Sequence, residues 1–311
     1  MNTNGAAVSS RRETWKRVKR MKLLYALLLL PVVHLFLFSY VPMYGVLIAF
    51  QDFKPALGIG GSDWNRFEHF RTLFTDFVFL RALRNTLIIS GLKLCFGFGA
   101  PIVFALLLNE IVHPRFKKWT QSISYLPHFM SWVIAASILV EIVSPQRGVV
   151  NYVVTLFGGE PIHFLASKTY FIPVMIASDI WKEVGWAAII YIAAITAISP
   201  DLYEAANVDG ASRLRKMIHI TIPSIMPVIV VLFLLRLGHI LEGGFDQILN
   251  LYNPLVYEVG DIIDTYVYRT GLAQFKLDYA AAVGLFKNVV GVVLLVSANL
   301  VVRKYSEHGV W

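Results

Sequence analysis

Six ionisable side chains lie inside long apolar runs of this 311-residue chain: Lys93, Asp179, Lys182, Glu183, Arg236 and Lys287. Charge in such a run is costly in a bilayer, so these groups are expected to face a helix bundle interior or a water-filled cavity. Asp179, Lys182, Glu183 and Trp186 recur at helical spacing on one broad stripe, with Trp181 beside it. Lys182 and Glu183 are sequence neighbours, so they are not expected to face each other and need other partners. Arg236 and His239 sit one turn apart. Lys182 and Arg236 can pair with carboxylates, Arg in bidentate geometry. Trp186 and Trp181 offer flat apolar faces, and Glu183 and His239 offer fixed polar groups for hydroxyls. The alternative is that these charges pair with each other or with a second subunit and only fix packing. Lys93 and Lys287 are expected to snorkel toward an interface. Trp132 and Tyr191 are expected to be packing or interface anchors.

A second constellation is a loop. Glu204-Ala205-Ala206 is followed by Asp209-Gly210, then Ile220 and Pro223. Ser199 suits a helix N-cap and Pro200 the first helical position. Asp201 and Glu204 place negative charge near that helix N-terminus, where the helix dipole favours it. The spacing predicts a short helix over 200–209, thin on the Ala205–Ala206 side and ended by a left-handed Gly210. A second short helix over 211–219 is expected to leave at an angle, and Pro223 to stand near the start of the next apolar helix.

The elements that must position these residues follow from composition. The chain is 57% hydrophobic and only 15% charged, against about half and about a quarter for a soluble domain. A bilayer-spanning helix needs about 20 mostly apolar residues. Six segments qualify: 23–50, 85–108, 123–143, 171–197, 220–238 and 280–302. The fold class is therefore an all-α polytopic membrane protein. Two regions are expected: a basic segment over 1–22, with residues 1–10 disordered, and a membrane domain over 23–311 carrying the 199–219 loop. The first apolar run is too long for a signal-peptide core and lacks a small-residue cleavage site, so it reads as an uncleaved span.

Seven Lys/Arg between Arg11 and Lys22, with Arg115, Lys117, Lys118, Arg213, Arg215, Lys216, Arg303 and Lys304, fall on one side of a six-span arrangement. That excess places both termini and the Glu204 loop inside. The +8 net charge is thus a matter of membrane orientation, and nucleic acid is not an expected partner. The opposite segments, 51–84, 144–170 and 239–279, are long and read as external loops able to dock a partner. The single cysteine, Cys95, excludes an internal disulfide framework and a Cys-based metal site.

The Glu204 loop resembles the EAA loop of ABC importer permeases, E-A-A-x3-G-x9-I-x-L-P, with Ile222 where the family usually has Leu. The opening LLPVVHLFLFSYVPMYGVLIAFQDF, with Pro42, Tyr44, Phe50 and Phe53, resembles carbohydrate permeases for complex or acidic oligosaccharides. The resemblance covers nearly the whole chain. It implies the six-helix type I permease fold, a second homologous permease subunit as heterodimer partner, an external solute-binding protein and two copies of a cytoplasmic ATPase. It implies ATPase docking by Glu204, Ala205, Ala206, Asp209, Gly210, Ile220 and Pro223. The helices flanking the EAA loop would line the sugar path, which points to Lys182, Glu183, Trp186, Arg236 and His239. An acidic oligosaccharide such as a uronide fits the cations.

No G-x-x-x-x-G-K-[ST] phosphate loop, H-E-x-x-H, G-x-S-x-G or CxxC occurs. The chain is therefore not expected to be an enzyme or to hold a cofactor or metal, and ATP and Mg would be handled by the partner ATPase. The alternatives are an ABC permease for an amino acid, peptide or metal chelate, a stand-alone transporter with Lys182 and Glu183 as a proton relay, and a membrane scaffold with no path. The expected location is the cytoplasmic membrane, with surrounding lipid.

Overall fold

A computed structural model describes residues 19–305 of the chain, with side chains to residue 300. The expected disorder of residues 1–10 and most of the basic 1–22 segment lie outside the described residues.

The chain divides into two compact units, Met1–Arg66 and Phe67–Trp311. In the first, helix α1 (Lys22–Leu35) runs through a π-helical turn (Phe36–Tyr40) into a 3-10 stretch (Val41–Phe50). Pro31 is accommodated inside it. Large apolar side chains such as Leu23, Leu30 and Phe38 are exposed along its length. That is the surface expected of a helix whose solvent is lipid, which lets every backbone group bond internally. A two-stranded antiparallel ladder closes the unit, pairing β1 (Gln51–Asp52) with β2 (Asp63–Trp64).

The second unit opens with α2 (Glu68–Leu73). Helix α3 (Phe77–Leu92) then continues through a π-helical turn (Lys93–Gly97) into α4 (Phe98–Asn109). Asp76 caps α3, its carboxylate accepting from the Val78 N–H at 2.8 Å. Helices α5 (Pro114–Tyr125) and α6 (Trp132–Ile142) follow, then α7 (Val149–Leu156) and the 29-residue α8 (Lys168–Thr196). Helix α9 (Pro200–Val208) leads to α10 (Arg213–Lys216), which passes through a π-turn into α11 (Ile222–Gly238). Short helices α12 (Phe245–Leu251), α13 (Tyr257–Gly260) and α14 (Ile263–Tyr268) precede the last helix, α15 (Leu277–Tyr305).

Among the described residues, four helices are long and apolar enough to cross a membrane: Lys22–Phe50, Phe77–Asn109, Arg213–Gly238 and Leu277–Leu300. Two bent pairs raise this to six if each pair is one span. The expected span over 123–143 is not one helix. The chain bends by 108° between Pro114–Phe129 and Trp132–Ile142. Pro127 lies in a 3-10 turn (Leu126–Phe129), and Ser131 restarts the helix, its hydroxyl accepting from the Ile134 N–H at 3.4 Å. The expected span over 171–197 is α8, which turns by 70° into α9.

The segment 239–279, expected as an external loop, folds into the core. Ile248, Leu251, Val256 and Ile262 cluster with Ile89, Ala136, Phe171 and Met175, all fully or nearly fully buried. Ile263 and Tyr266 join Leu73, Phe79, Ala82 and Val283 in a second cluster. Polar anchors satisfy this irregular backbone, as burial demands. Asn85 Nδ2 donates to the carbonyls of Glu258 and Asp261, and the Ile263 N–H donates to Thr86 Oγ1 at 2.9 Å. Asp261 is fully buried, and Arg269 donates to its carboxylate from both terminal guanidinium nitrogens, Nη1 at 3.1 Å and Nη2 at 2.6 Å. A third cluster, with Ala105, Ala188, Tyr191, Ile195 and Ile225, packs α4, α8 and α11 together. Gly185 marks the closest crossing, where an added Cβ would lie 2.2 Å from the Ser124 carbonyl of α5.

Candidate functional site

Lys182 is almost fully buried on α8 and is held from three directions. Its ammonium donates to the His128 carbonyl at 2.9 Å and to Glu183 Oε1 at 3.3 Å. It also lies 5.4 Å from the centre of the Trp132 ring, within cation–π reach. The Lys182–Glu183 contact corrects the expectation that these neighbours cannot meet. Their backbone directions do diverge, but both side chains are long enough to curl toward the same point.

The bend between α5 and α6 supplies what surrounds them. His128 Nδ1–H donates to Glu183 Oε2 at 2.8 Å, and its ring stacks on Trp186 with centroids 4.6 Å apart and planes 3° from parallel. Phe129 meets the same indole edge-on at 5.5 Å. Trp186 keeps 43% of its surface exposed and Glu183 is also part-exposed. A buried cation, a part-exposed carboxylate and a braced indole thus share one patch. His128, Phe129 and Trp132 were not expected there. Pro127 and Ser131 carried the signal, since a proline followed by an N-cap residue breaks a helix and bares side chains at the break. Tyr191, by contrast, is buried in the core as a packing residue.

The other predicted pathway residues fall at the end of α11. Arg236 is exposed, with no ion-pair partner among the described residues. His239 caps the helix, is exposed, and its Nδ1–H donates to the Leu235 carbonyl at 2.9 Å. Among the described residues, neither Arg236 nor His239 bonds to the Lys182 patch.

Lys93 does not snorkel. It sits on the π-turn of the α3–α4 helix, 3% exposed. Its ammonium pairs with Asp179 Oδ1 at 2.9 Å and donates to Gln247 Oε1 at 2.5 Å. Gln247, fully buried on α12, passes the network on to the Met175 carbonyl at 2.7 Å and Ser178 Oγ at 2.8 Å. Gly244 makes room for it. Its φ is +93°, and a Cβ there would stand 2.5 Å from Lys93 Nζ. Lys287 is likewise internal, 2.5 Å from Asp264. Both lysines lie too far from a helix end for the snorkelling expectation, so part-buried carboxylates inside the protein satisfy them instead. Trp181 is 40% exposed beside the Asp179–Trp186 stripe.

The Glu204 loop takes the local form its residues dictate. Helix α9 ends in a Schellman turn: the Ala211 N–H donates to the Ala206 carbonyl at 2.8 Å and the Gly210 N–H to the Asn207 carbonyl at 3.1 Å. Gly210 is left-handed, at φ +72°. Ser199 stands at the N-cap, but its hydroxyl donates to Asp201 rather than accepting from the helix. The expected angled helix over 211–219 is instead the first part of the unbroken Arg213–Gly238 helix. The π-turn Met217–Thr221 absorbs the junction, and Pro223 is tolerated in the first turn of α11. Two bonds brace the arms of the loop: Tyr203 with Thr221 at 2.9 Å, and Lys216 with Asn207 at 2.6 Å. Glu204, Ala205, Asp209 and Gly210 are exposed, Ala206 and Ile220 half-buried. Leu202, Val208, Leu214 and Ile218 add an exposed apolar surface around them.

Comparison with known proteins follows this geometry closely. Residues 97–307 match the model of the binding-protein-dependent transport system inner membrane component. The chain is 47% identical over 309 residues to the polygalacturonan/rhamnogalacturonan transport system permease protein YteP of Bacillus subtilis (strain 168), covering 98% of this chain and 96% of that one. It also matches a chain of a bacterial ABC transporter involved in the import of the acidic polysaccharide alginate. The TM-score is 0.86 at 46% identity, over 94% of this chain and 98% of that one. A second structure, of bacterial alginate ABC transporter in complex with alginate pentasaccharide-bound periplasmic protein, matches with the same TM-score and identity over 95% of this chain. The chain therefore belongs to the binding-protein-dependent transport system inner membrane component family, as a multi-pass ABC importer permease and not an enzyme.

Proposed function

We propose that this permease forms half of the path for an acidic oligosaccharide, with Lys182 as a cation facing that path. The observation that carries the reading is the patch itself: a buried ammonium, a part-exposed carboxylate and an indole braced by His128. Sugar rings present flat C–H faces to aromatics and hydroxyls to fixed polar groups, and a uronide adds a carboxylate for a cation. Similarity to YteP and to the alginate importer chains supports the same substrate class. Arg236 and His239 extend the path from the far end of α11, and both are exposed to receive solute.

The remaining assembly completes the reading. The two bent pairs count as spans, so six helices cross the membrane and both termini lie inside with the 199–219 loop. Glu204, Ala205, Ala206, Asp209, Gly210, Ile220 and Pro223 form the seat for one of two ATPase copies. A homologous permease supplies the other half of the path, and an external binding protein delivers the solute. ATP and Mg are handled by the ATPase. The braces between Tyr203 and Thr221 and between Lys216 and Asn207 suit a loop that moves as one body with Arg213–Gly238, so closure of the ATPase is passed directly to a span.

The test is Lys182→Ala in the complete importer reconstituted in vesicles. Uptake of oligogalacturonate should fall about tenfold or more, as expected when a charge-assisted bond of about 1.5–3 kcal/mol is lost. Basal ATP hydrolysis should be retained. Unchanged uptake would remove Lys182 from the path.

A further inference from the structure

Helix α7 (Val149–Leu156) reverses the usual order of inside and outside. Val149, Tyr152, Val153, Leu156 and the following Phe157 fall on one arc at helical spacing, and all are 45–85% exposed. The opposite side turns a polar residue inward: Asn151 is 2% exposed. Its Nδ2 donates to the Val143 and Ser144 carbonyls at 3.1 Å and to the Ile162 carbonyl at 3.0 Å. Its Oδ1 accepts from the Ile162 N–H at 2.7 Å. These bonds clamp α7 to the end of α6, which is capped by Val143. A Schellman turn closes α7: the Gly159 N–H donates to the Val154 carbonyl, the Gly158 N–H to the Thr155 carbonyl, and Gly158 is left-handed at φ +81°.

An apolar arc of this kind is costly in water, and soluble surfaces rarely hold a contiguous apolar patch beyond a few hundred Å². What covers it follows from its chemistry and place. The arc carries no charge and, apart from the Tyr152 hydroxyl, no hydrogen-bonding side chain. A surface that binds and releases a protein carries about one hydrogen bond per 100–200 Å². Charges stand at the flanks instead: Arg147 pairs with Glu141 at 3.6 Å, and Glu160 follows the helix exposed. Helix α6, to which α7 is clamped, also bares Val133, Ile134 and Ile138, and it belongs to a bent pair apolar enough to cross a membrane. Tyrosine, with an apolar ring and a polar tip, suits a membrane–water interface. At about 12 Å long, α7 is too short to cross a hydrocarbon core of about 30 Å, so it can only lie along the surface.

We propose that α7 is an interfacial anchor. Its apolar arc dips about 5–10 Å into the boundary between phospholipid headgroups and acyl chains, and it holds the end of α6 at that depth. The partner is the bilayer surface itself. No particular headgroup is selected, because no charge lies on the arc. The choice of the outer leaflet rests on the six-span reading, in which residues 144–170 are external, whereas the anchoring does not.

The experiment uses the complete importer in lipid nanodiscs, with Cys95→Ser removing the exposed native thiol. Leu156→Cys and, separately, Glu160→Cys carry an environment-sensitive fluorophore. A phospholipid with a doxyl group high on its acyl chain quenches from the bilayer, and iodide quenches from water. The doxyl lipid should quench the label at 156 severalfold more than the label at 160, and iodide should do the reverse. Val153→Cys, on the same arc, should repeat the pattern seen at 156. Retained ATP-driven uptake shows that each labelled protein is folded. Equal iodide quenching at all three positions overturns the anchor. Shielding of 153 and 156 from both quenchers, constant or appearing only with the binding protein, also overturns it by making the arc a protein contact. A membrane-impermeant maleimide on intact protoplasts tests the side. Labelling of Glu160→Cys supports the outer leaflet. No labelling there, with lipid quenching at 156 retained, overturns the six-span orientation and leaves the anchor standing.

Discussion

Removing Asp179 should strongly destabilise this protein. Its carboxylate lies 2.9 Å from Lys93 Nζ, and the two side chains are 13% and 4% exposed. At that distance, and with an effective dielectric of about 20, the attraction is about 6 kcal/mol. Asp179→Ala leaves the ammonium with Gln247 Oε1 as its remaining hydrogen-bond partner. The Gln247 bond offsets part of the loss. The net cost should therefore be about 3–5 kcal/mol, the range for breaking a buried pair at one end. The double variant Lys93→Met, Asp179→Leu removes both charges together. It should recover most of that cost, because no uncompensated ion is left behind. The assay is denaturant or thermal unfolding of the purified permease pair in one detergent, with a double-mutant cycle across both positions. An Asp179→Ala protein as stable as wild type, or a double variant less stable than Asp179→Ala, would refute the argument.

Three further outcomes follow from local geometry. Gly210→Ala should cost about 1–2 kcal/mol through backbone strain alone, since φ is +72° and nothing lies within 4 Å of the added Cβ; unfolding of the variant checks it. Gly185→Val should cost about 1–3 kcal/mol or more by forcing α8 away from the Ser124 carbonyl, and crosslinking of cysteines placed in α5 and α8 should weaken in step. Burial raises the Asp76 carboxyl, but bonds from the Tyr266 hydroxyl, the Val78 and Phe79 N–H groups and the Tyr279 hydroxyl outweigh it, and the pKa falls below the ordinary 3.8. That stabilisation is complete above pH 3.8 and is lost as pH drops through the lowered folded value. Tyr266→Phe should shift the acid-unfolding midpoint to higher pH, read by tryptophan fluorescence, and leave stability at neutral pH reduced by the one lost bond.

The sequence alone determined what depends on neighbours within a few turns. Apolar runs of about 20 residues can exist only as lipid-exposed or mutually packed helices, so the spans at 23–50 and 280–302 were legible directly. The 200–208 helix and its left-handed Gly210 were legible too, because capping chemistry is written in adjacent residues. The Glu204 motif carried the family because its spacing is local.

Tertiary structure decided whatever depended on residues far apart in the chain. The Lys93–Gln247 bond joins positions 154 residues apart, and nothing near Lys93 announces its partners. Residues 239–279 read as a loop because their helices are short and interrupted by Gly243, Gly244, Pro254 and Gly260. They are core because buried side chains from α3 and α8 meet them, with Asn85 and Thr86 bonding their irregular backbone. The 123–143 run read as one span because hydropathy is blind to direction, whereas Pro127 and Ser131 turned it by 108°. That turn brings His128 onto Trp186 and gives Lys182 a carbonyl to hold, so the site exists only once α5, α6 and α8 have packed.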